Sequence, residues 1–135
     1  MTEQKTILPD GWQRPRGYSH AMATTGGTTV RIAGQVAVRD GKGLVDPGLD
    51  FGAQFGLALQ NVATIVRAAG GAPEHIVNLR AYVTDMDAFR ASGAAIGEGW
   101  RASLGKHFPP MTLVEVTRLV DPNAKVEIEA EAVVP

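Results

Sequence analysis

The chain contains no cysteine, which excludes disulfides, thiol catalysis and metal sites built on thiolates. It also has no excess of either charge, since 13 basic and 14 acidic residues leave a net charge of -1. Nucleic-acid-binding domains concentrate positive charge on one surface, so this balance argues against an RNA or DNA partner. No window approaches the roughly 20 apolar residues of a membrane span, and Met1–Thr6 lacks an apolar signal-peptide stretch. We therefore expect a cytoplasmic protein with no membrane partner.

Motifs for metals and nucleotides are absent as well. The three histidines, His20, His75 and His107, are far apart in sequence, and there is no HExxH motif. No glycine-rich phosphate loop follows a strand, and no GxSxG sequence marks a nucleophilic serine. The sequence therefore predicts that no metal and no cofactor is bound.

The composition is that of an ordinary globular domain. Hydrophobic residues make up 44% of the 135 positions and charged residues 20%, and this length fits one domain over residues 1–135. The residues up to about Arg16 contain Pro9, Gly11 and Pro15. Prolines and glycines interrupt regular structure, so we expect an irregular lead-in there.

Apolar periodicity after the lead-in predicts alternating strands and helices. The pattern indicates strands over residues 19–24, 29–35, 76–84, 111–117 and 125–133, and helices over residues 51–69 and 88–104. Gly26-Gly27 predicts a hairpin between the first two strands. Asp50 and Gly70-Gly71 are suited to cap the first helix. Because helices occur between only some of the strands, we expect an α+β fold, with a mixed sheet and both helices on one face.

The last strand alternates cleanly between apolar and acidic residues. Val126, Ile128, Ala130 and Ala132 face one way, and Glu127, Glu129 and Glu131 face the other. Three carboxylates on one face repel one another unless they meet water or cations. This face is either solvated, or part of it lines a subunit interface or a polar cleft. Arg80 and Arg118 are candidate partners for the acids.

Four features could carry chemistry. Tyr18 follows a glycine and could cover a cleft, and Gly34 at a strand end lets a ligand approach its backbone N–H. Met111 begins a strand after the rigid pair Pro109-Pro110. Glu127 could carry a proton if an apolar pocket raised its pKa. Taken singly, each has a simpler interpretation: a rim tyrosine, a bulge glycine, a rigid loop and a solvated acid.

In chain order, the local motifs resemble those of the RidA/YjgF family of reactive enamine and imine deaminases. The matching segments begin near Gly17 and are Tyr18–Ala21, Ala33–Gln35, Gln60–Val62, Ala69–Gly71, Tyr82–Phe89, Pro109–Val116 and Val126–Ala130. The resemblance implies a chorismate-mutase-like α+β fold and a homotrimer. In the family, the sheets of three subunits form a barrel-like core with ligand clefts between neighbours. A sheet covered by helices on one face needs cover on the other, which agrees with this assembly.

The resemblance also implies roles for particular residues. Tyr18 would cover the cleft, Gly34 would offer its backbone N–H, and Glu127 would hold the water that attacks a C=N carbon. Met111 stands where active members have an arginine that binds the substrate carboxylate. Leu113 occupies a position that is often cysteine in the family.

Methionine supplies neither charge nor donor. Losing a charge-assisted hydrogen bond costs about 1.5–3 kcal/mol, so small 2-imino acids should be poor substrates unless Arg80 or Arg118 replaces the cation. We expect a small-molecule ligand and a hydrolytic imine or enamine deaminase acting on a larger, less acidic imine. The alternatives are a non-catalytic ligand-binding or regulatory trimer and, against the charge balance, an endoribonuclease.

Overall fold

Six strands and three α-helices form the fold of residues 2–135, the part of the chain that the computed structural model describes. The strands are β1 (Thr2–Ile7), β2 (Ala21–Gly26), β3 (Thr28–Gln35), β4 (Ile76–Val83), β5 (Met111–Glu115) and β6 (Val126–Val134). The helices are α1 (Phe51–Ala68), α2 (Met86–Ala91) and α3 (Gly93–Leu104). No helix within residues 2–135 combines the length and apolar character needed to cross a membrane.

The main sheet has the strand order β3-β6-β4-β5. Strand β6 runs antiparallel to both of its neighbours, whereas β5 runs parallel to β4. Helix α1 packs on β6 and β3, and α3 packs beside α1. The predicted α+β class, with a mixed sheet and helices on one face, is confirmed.

Helix α1 has the predicted ends. The Asp50 carboxylate accepts a hydrogen bond from the Ala53 N–H at 2.8 Å, which satisfies a donor that the helix itself leaves free. At the other end Gly70 has φ +89, and the Gly71 N–H donates to the Val66 carbonyl at 3.0 Å. This is the Schellman arrangement, which favours glycine at the left-handed position.

Strand β6 alternates as predicted. Its apolar residues are buried beneath α1, and its three glutamates are half-buried on the opposite face of the sheet. We call this second face, which no helix of residues 2–135 covers, the outer face. Burial of the apolar row fixes the register of the strand, because a slip of one residue would exchange the two faces.

The expectation of an irregular lead-in to about Arg16 is wrong for its first part. Residues Thr2–Ile7 form β1, which pairs antiparallel with β2. The strand is almost entirely exposed, so it lacks the apolar alternation by which a half-buried strand is recognised. Only the following segment, residues 8–16, is irregular, apart from a short turn.

The predicted hairpin at Gly26-Gly27 is also wrong. Strand β2 pairs with β1, and β3 pairs with β6 in the other sheet. Both glycines have positive φ, but they carry the chain from one sheet to the next. A Cβ on Gly27 would lie 2.7 Å from the Val134 carbonyl oxygen, so the close approach of the backbones requires glycine here.

The helix predicted over residues 88–104 is two helices that meet at Ser92. The Ser92 hydroxyl donates to the Ala88 carbonyl at 2.7 Å, and such back-bonding competes with regular helix geometry. Glycines weaken α3 as an isolated helix, but they also let it approach α1. A Cβ on Gly99 would lie 3.0 Å from the Gly56 Cα.

Gln54 is the one buried polar side chain in the described core, and it holds the start of β6 in place. Its Oε1 accepts from the Lys125 N–H at 2.8 Å. Its Nε2 donates to the carbonyls of Leu49 (3.3 Å) and Asn123 (3.2 Å). Since Lys125 directly precedes β6, helix α1 fixes the strand that carries Glu127.

We predict that Gln54→Leu lowers the free energy of unfolding by about 2–4 kcal/mol, because buried backbone groups lose their partners. Urea denaturation measures this loss. Gln60→Leu is the matched control, since Gln60 is exposed on the same helix, and it should change stability by less than about 0.5 kcal/mol. Equal effects of the two substitutions would contradict the role given to Gln54.

Candidate functional site

Gly34 and Glu127 lie against each other on the outer face. A Cβ on Gly34 would overlap the Glu127 carboxylate and would lie 2.8 Å from its Cγ. The β3–β6 register shifts between Ile32 and Gln35, so β3 has one extra residue there. Such a bulge redirects the backbone locally. Two residues singled out from the sequence therefore come together, because the bulge brings Gly34 onto the glutamate.

The other two acids of β6 have partners on β4. The Tyr82 hydroxyl donates to the Glu129 carboxylate. The pKa of Tyr82 is raised above its ordinary value, chiefly by this hydrogen bond and secondly by burial. Arg80 forms an ion pair with Glu131, with Nη1 and Oε1 3.5 Å apart. Glu127, although it lies opposite Tyr82 in the ladder, makes no side-chain hydrogen bond or ion pair within residues 2–135. Its carboxylate can therefore accept a bond from a ligand or water.

Met111 and Leu113 lie on the helix-covered face instead. They pair with Leu79 and Ala81, which are buried beneath the helices. Together with Tyr18 they line a groove of about 610 Å³ between β5, α3 and the segment before β2. We call this the β5 groove. Its remaining lining residues are Arg16, Gly17, Phe55, Phe89, Gly93, Ile96, Gly97, Trp100, Arg101, Gly105, Lys106 and Phe108.

Local contacts hold the aromatic wall of the β5 groove. The Ser19 hydroxyl donates to the Phe108 carbonyl at 2.6 Å, which ties the segment of Tyr18 to the loop before β5. The rings of Trp100 and Phe108 stack with their centroids 5.9 Å apart. The Trp100 indole N–H donates to the His107 carbonyl at 3.0 Å. Tyr18 itself is 37% exposed and lines the groove.

Three cations of the β5 groove, Arg16, Arg101 and Lys106, were not predicted from the sequence. Arg80 and Arg118, the candidates named there, are elsewhere: Arg80 pairs with Glu131 on the outer face, and neither lines the groove. The spacing of Gly93, Gly97 and Trp100 along one helical face is the only sequence signal that could have indicated the groove wall.

The candidate residues thus fall into two groups on opposite faces of the sheet. Glu127 and Gly34 lie on the outer face, and Met111, Leu113 and Tyr18 line the β5 groove. Strands β6 and β5 are separated by β4, so the two strands are about 10 Å apart within the sheet. The side chains of the two groups also point to opposite sides of that sheet. A small molecule in the groove of one chain does not reach Glu127 of that chain. In residues 2–135 no group of His, Asp and Glu side chains could hold a metal.

Comparison with known proteins identifies the fold. The sequence model of a family described as Endoribonuclease L-PSP matches residues 12–134. The crystal structure of YyfB from Yersinia pestis, a member of the conserved Rid family, has a TM-score of 0.81 and 32% identity, covering 97% of this chain and 98% of that one. The chain belongs to the RidA/YjgF family.

Other RidA/YjgF proteins support this membership. The chain is 36% identical over 110 residues to the 2-iminobutanoate/2-iminopropanoate deaminase of Salmonella typhimurium, covering 79% of this chain and 80% of the relative. The crystal structure of the YjgF gene product of E. coli has a TM-score of 0.65 and 33% identity, covering 96% of this chain and 98% of that one.

We predict that Gly34→Ala destabilises this RidA/YjgF protein by about 1 kcal/mol, at the low end of overpacking costs, because the atoms that the new methyl group meets belong to the flexible Glu127 side chain. The φ of Gly34 lies outside the left-handed region, so alanine adds no backbone strain. A double-mutant cycle isolates the contact: in a Glu127→Ala background the same change should cost less than half as much. Equal costs in both backgrounds, measured by urea denaturation, would show that the two residues do not touch.

Proposed function

We propose that this RidA/YjgF protein hydrolyses the C=N bond of an imine, or of the imine tautomer of an enamine, in a cleft between subunits. The proposal is carried by the contact between the Gly34 backbone and the Glu127 carboxylate, which makes no hydrogen bond or ion pair with residues 2–135. The carboxylate can hold a water, and the missing side chain of Gly34 leaves the space that this carboxylate occupies. The resemblance assigns the same roles to both residues, and a 36% identical relative is named a 2-iminobutanoate/2-iminopropanoate deaminase.

The proposed reaction needs one base and no cofactor, because an imine carbon is already electrophilic. Glu127 accepts a proton from the water as its oxygen bonds to the imine carbon. The π electrons move to nitrogen, which takes up a proton from solvent. The tetrahedral carbinolamine then collapses: Glu127 returns its proton to nitrogen, the C–N bond breaks, ammonia leaves, and the hydroxyl gives up its proton to solvent as the carbonyl forms. Imine and water thus give a carbonyl compound and ammonia.

We propose a homotrimer as the active assembly. Glu127 and the β5 groove lie on opposite faces of one sheet, so one cleft can use both only if they come from different copies. The outer face has no helical cover within residues 2–135, and apposed sheets of three copies would cover it. The resemblance implies the same barrel-like core with a cleft at each subunit boundary.

Met111 and Leu113 make the proposed cleft apolar where active relatives bind a carboxylate. Methionine cannot replace the fork of donors that an arginine offers. We therefore propose that three- and four-carbon 2-imino acids are poor substrates and that a larger imine is preferred. Met111 also favours the second candidate, a ligand-binding trimer without catalysis, because the expected substrate anchor is missing.

We predict that Glu127→Gln lowers the rate of imine hydrolysis at least about 100-fold, since the amide cannot accept the water proton. Imines are generated in situ by an amino-acid oxidase, and ammonia release is measured above the spontaneous rate. Glu131→Gln, a change on the same strand and face, is the matched control and should retain activity.

Unchanged turnover in Glu127→Gln would refute the glutamate mechanism. Wild-type rates on iminopropionate and iminobutyrate that exceed those on larger imines would refute the substrate assignment. Saturable ligand binding with no turnover of any imine would establish the non-catalytic candidate.

A further inference from the structure

The β5 groove combines an apolar wall with a positive mouth. Its wall includes Trp100, Phe108, Met111 and Leu113, and Arg16, Arg101 and Lys106 also line it. Within residues 2–135 the one ion pair joins Arg80 to Glu131, so none of the three groove cations has an acidic partner. All three cations are exposed, so the solvent-facing rim of the groove, which we call its mouth, holds positive charge that a ligand can neutralise.

The position of Arg101 strengthens this observation. Its Nη1 lies 3.5 Å from the place where a Cβ on Gly97 would stand, one turn earlier on α3. The guanidinium therefore folds back over the helix, in space that a larger side chain at residue 97 would occupy. Because Gly97 also lines the groove, this space faces the ligand, and a guanidinium there can bind a carboxylate through two parallel hydrogen bonds.

We propose that the β5 groove binds 2-imino acids with a large aromatic side chain, in the reverse of the orientation implied by the resemblance. The aromatic group lies against Met111 and Leu113, and the carboxylate lies at the mouth on Arg101, aided by Arg16 and Lys106. The imine form of the ligand rests on the proposed function, whereas the binding mode does not.

Size and polarity favour this class over smaller acids. A groove of about 610 Å³ is within the range of small-molecule sites, about 300–1,000 Å³. A three-carbon acid would leave most of the apolar wall in contact with water. An aromatic ring covers that wall and stacks on Trp100 or Phe108, while its carboxylate stays with the cations. Met111 thus changes which part of the substrate occupies this end of the groove.

The test uses calorimetric titration of the intact protein with phenylpyruvate, the 2-oxo acid analogue of such an imine. Pyruvate lacks the ring and phenylacetone lacks the carboxylate, and both should bind at least about 10-fold more weakly. Arg101→Gln should weaken phenylpyruvate binding about 10- to 100-fold without weakening phenylacetone binding. Arg67→Gln, at an exposed arginine of α1 outside the groove, is the matched control and should bind like wild type.

Equal phenylpyruvate affinity in wild type and Arg101→Gln would overturn the proposal, as would phenylacetone binding as tightly as phenylpyruvate. The deaminase proposal fails separately. If phenylpyruvate binds as described and no aromatic imine is hydrolysed, the binding mode stands and the catalytic function falls. If aromatic imines are hydrolysed with the same kcat/KM by wild type and Arg101→Gln, the catalytic function stands and the binding mode falls.

Discussion

The alternation of side chains along β5 and β6 is the constraint on which the site depends. Successive residues of a strand point to opposite faces, and burial of the apolar rows beneath α1 and α3 fixes which face each residue takes. Met111 and Leu113 consequently line the β5 groove, while Glu127 lies on the outer face beside Gly34. A cleft that uses both groups therefore needs more than one copy of the chain.

Different contacts position the Glu127–Gly34 pair and the β5 groove. Gln54 links α1 to the start of β6, and the bulge in β3 brings the Gly34 backbone onto Glu127. The groove is shaped by the stacked pair of Trp100 and Phe108 and by the contact of Ser19 with the loop before β5. None of these contacts involves the cations at the mouth. Their charge can therefore be altered without disturbing the apolar wall.

Sequence patterns predicted the elements whose burial is regular. Helix α1 has a continuous apolar stripe and a recognisable cap at each end, and β6 has strict alternation, so both were predicted closely. Strand β1 was missed because it is exposed and carries no such pattern. Gly26-Gly27 correctly predicted a change of chain direction, but not which strands pair on either side of it. Positive φ at glycine is compatible both with a hairpin and with a connection between two different sheets. The groove cations were missed because they come from two distant segments, the stretch before β2 and the end of α3 with the loop after it, which only the fold brings together.

Cross-linking tests most directly the proposal that the site is divided between copies of the chain. The chain has no cysteine of its own, so Met111→Cys and Glu127→Cys together introduce the only two thiols. A bismaleimide with a two-carbon spacer should join Cys pairs of different subunits, giving covalent dimers and trimers on denaturing gels, while neither single variant does so. A double variant that yields only monomers, or a link within one chain, would contradict the account.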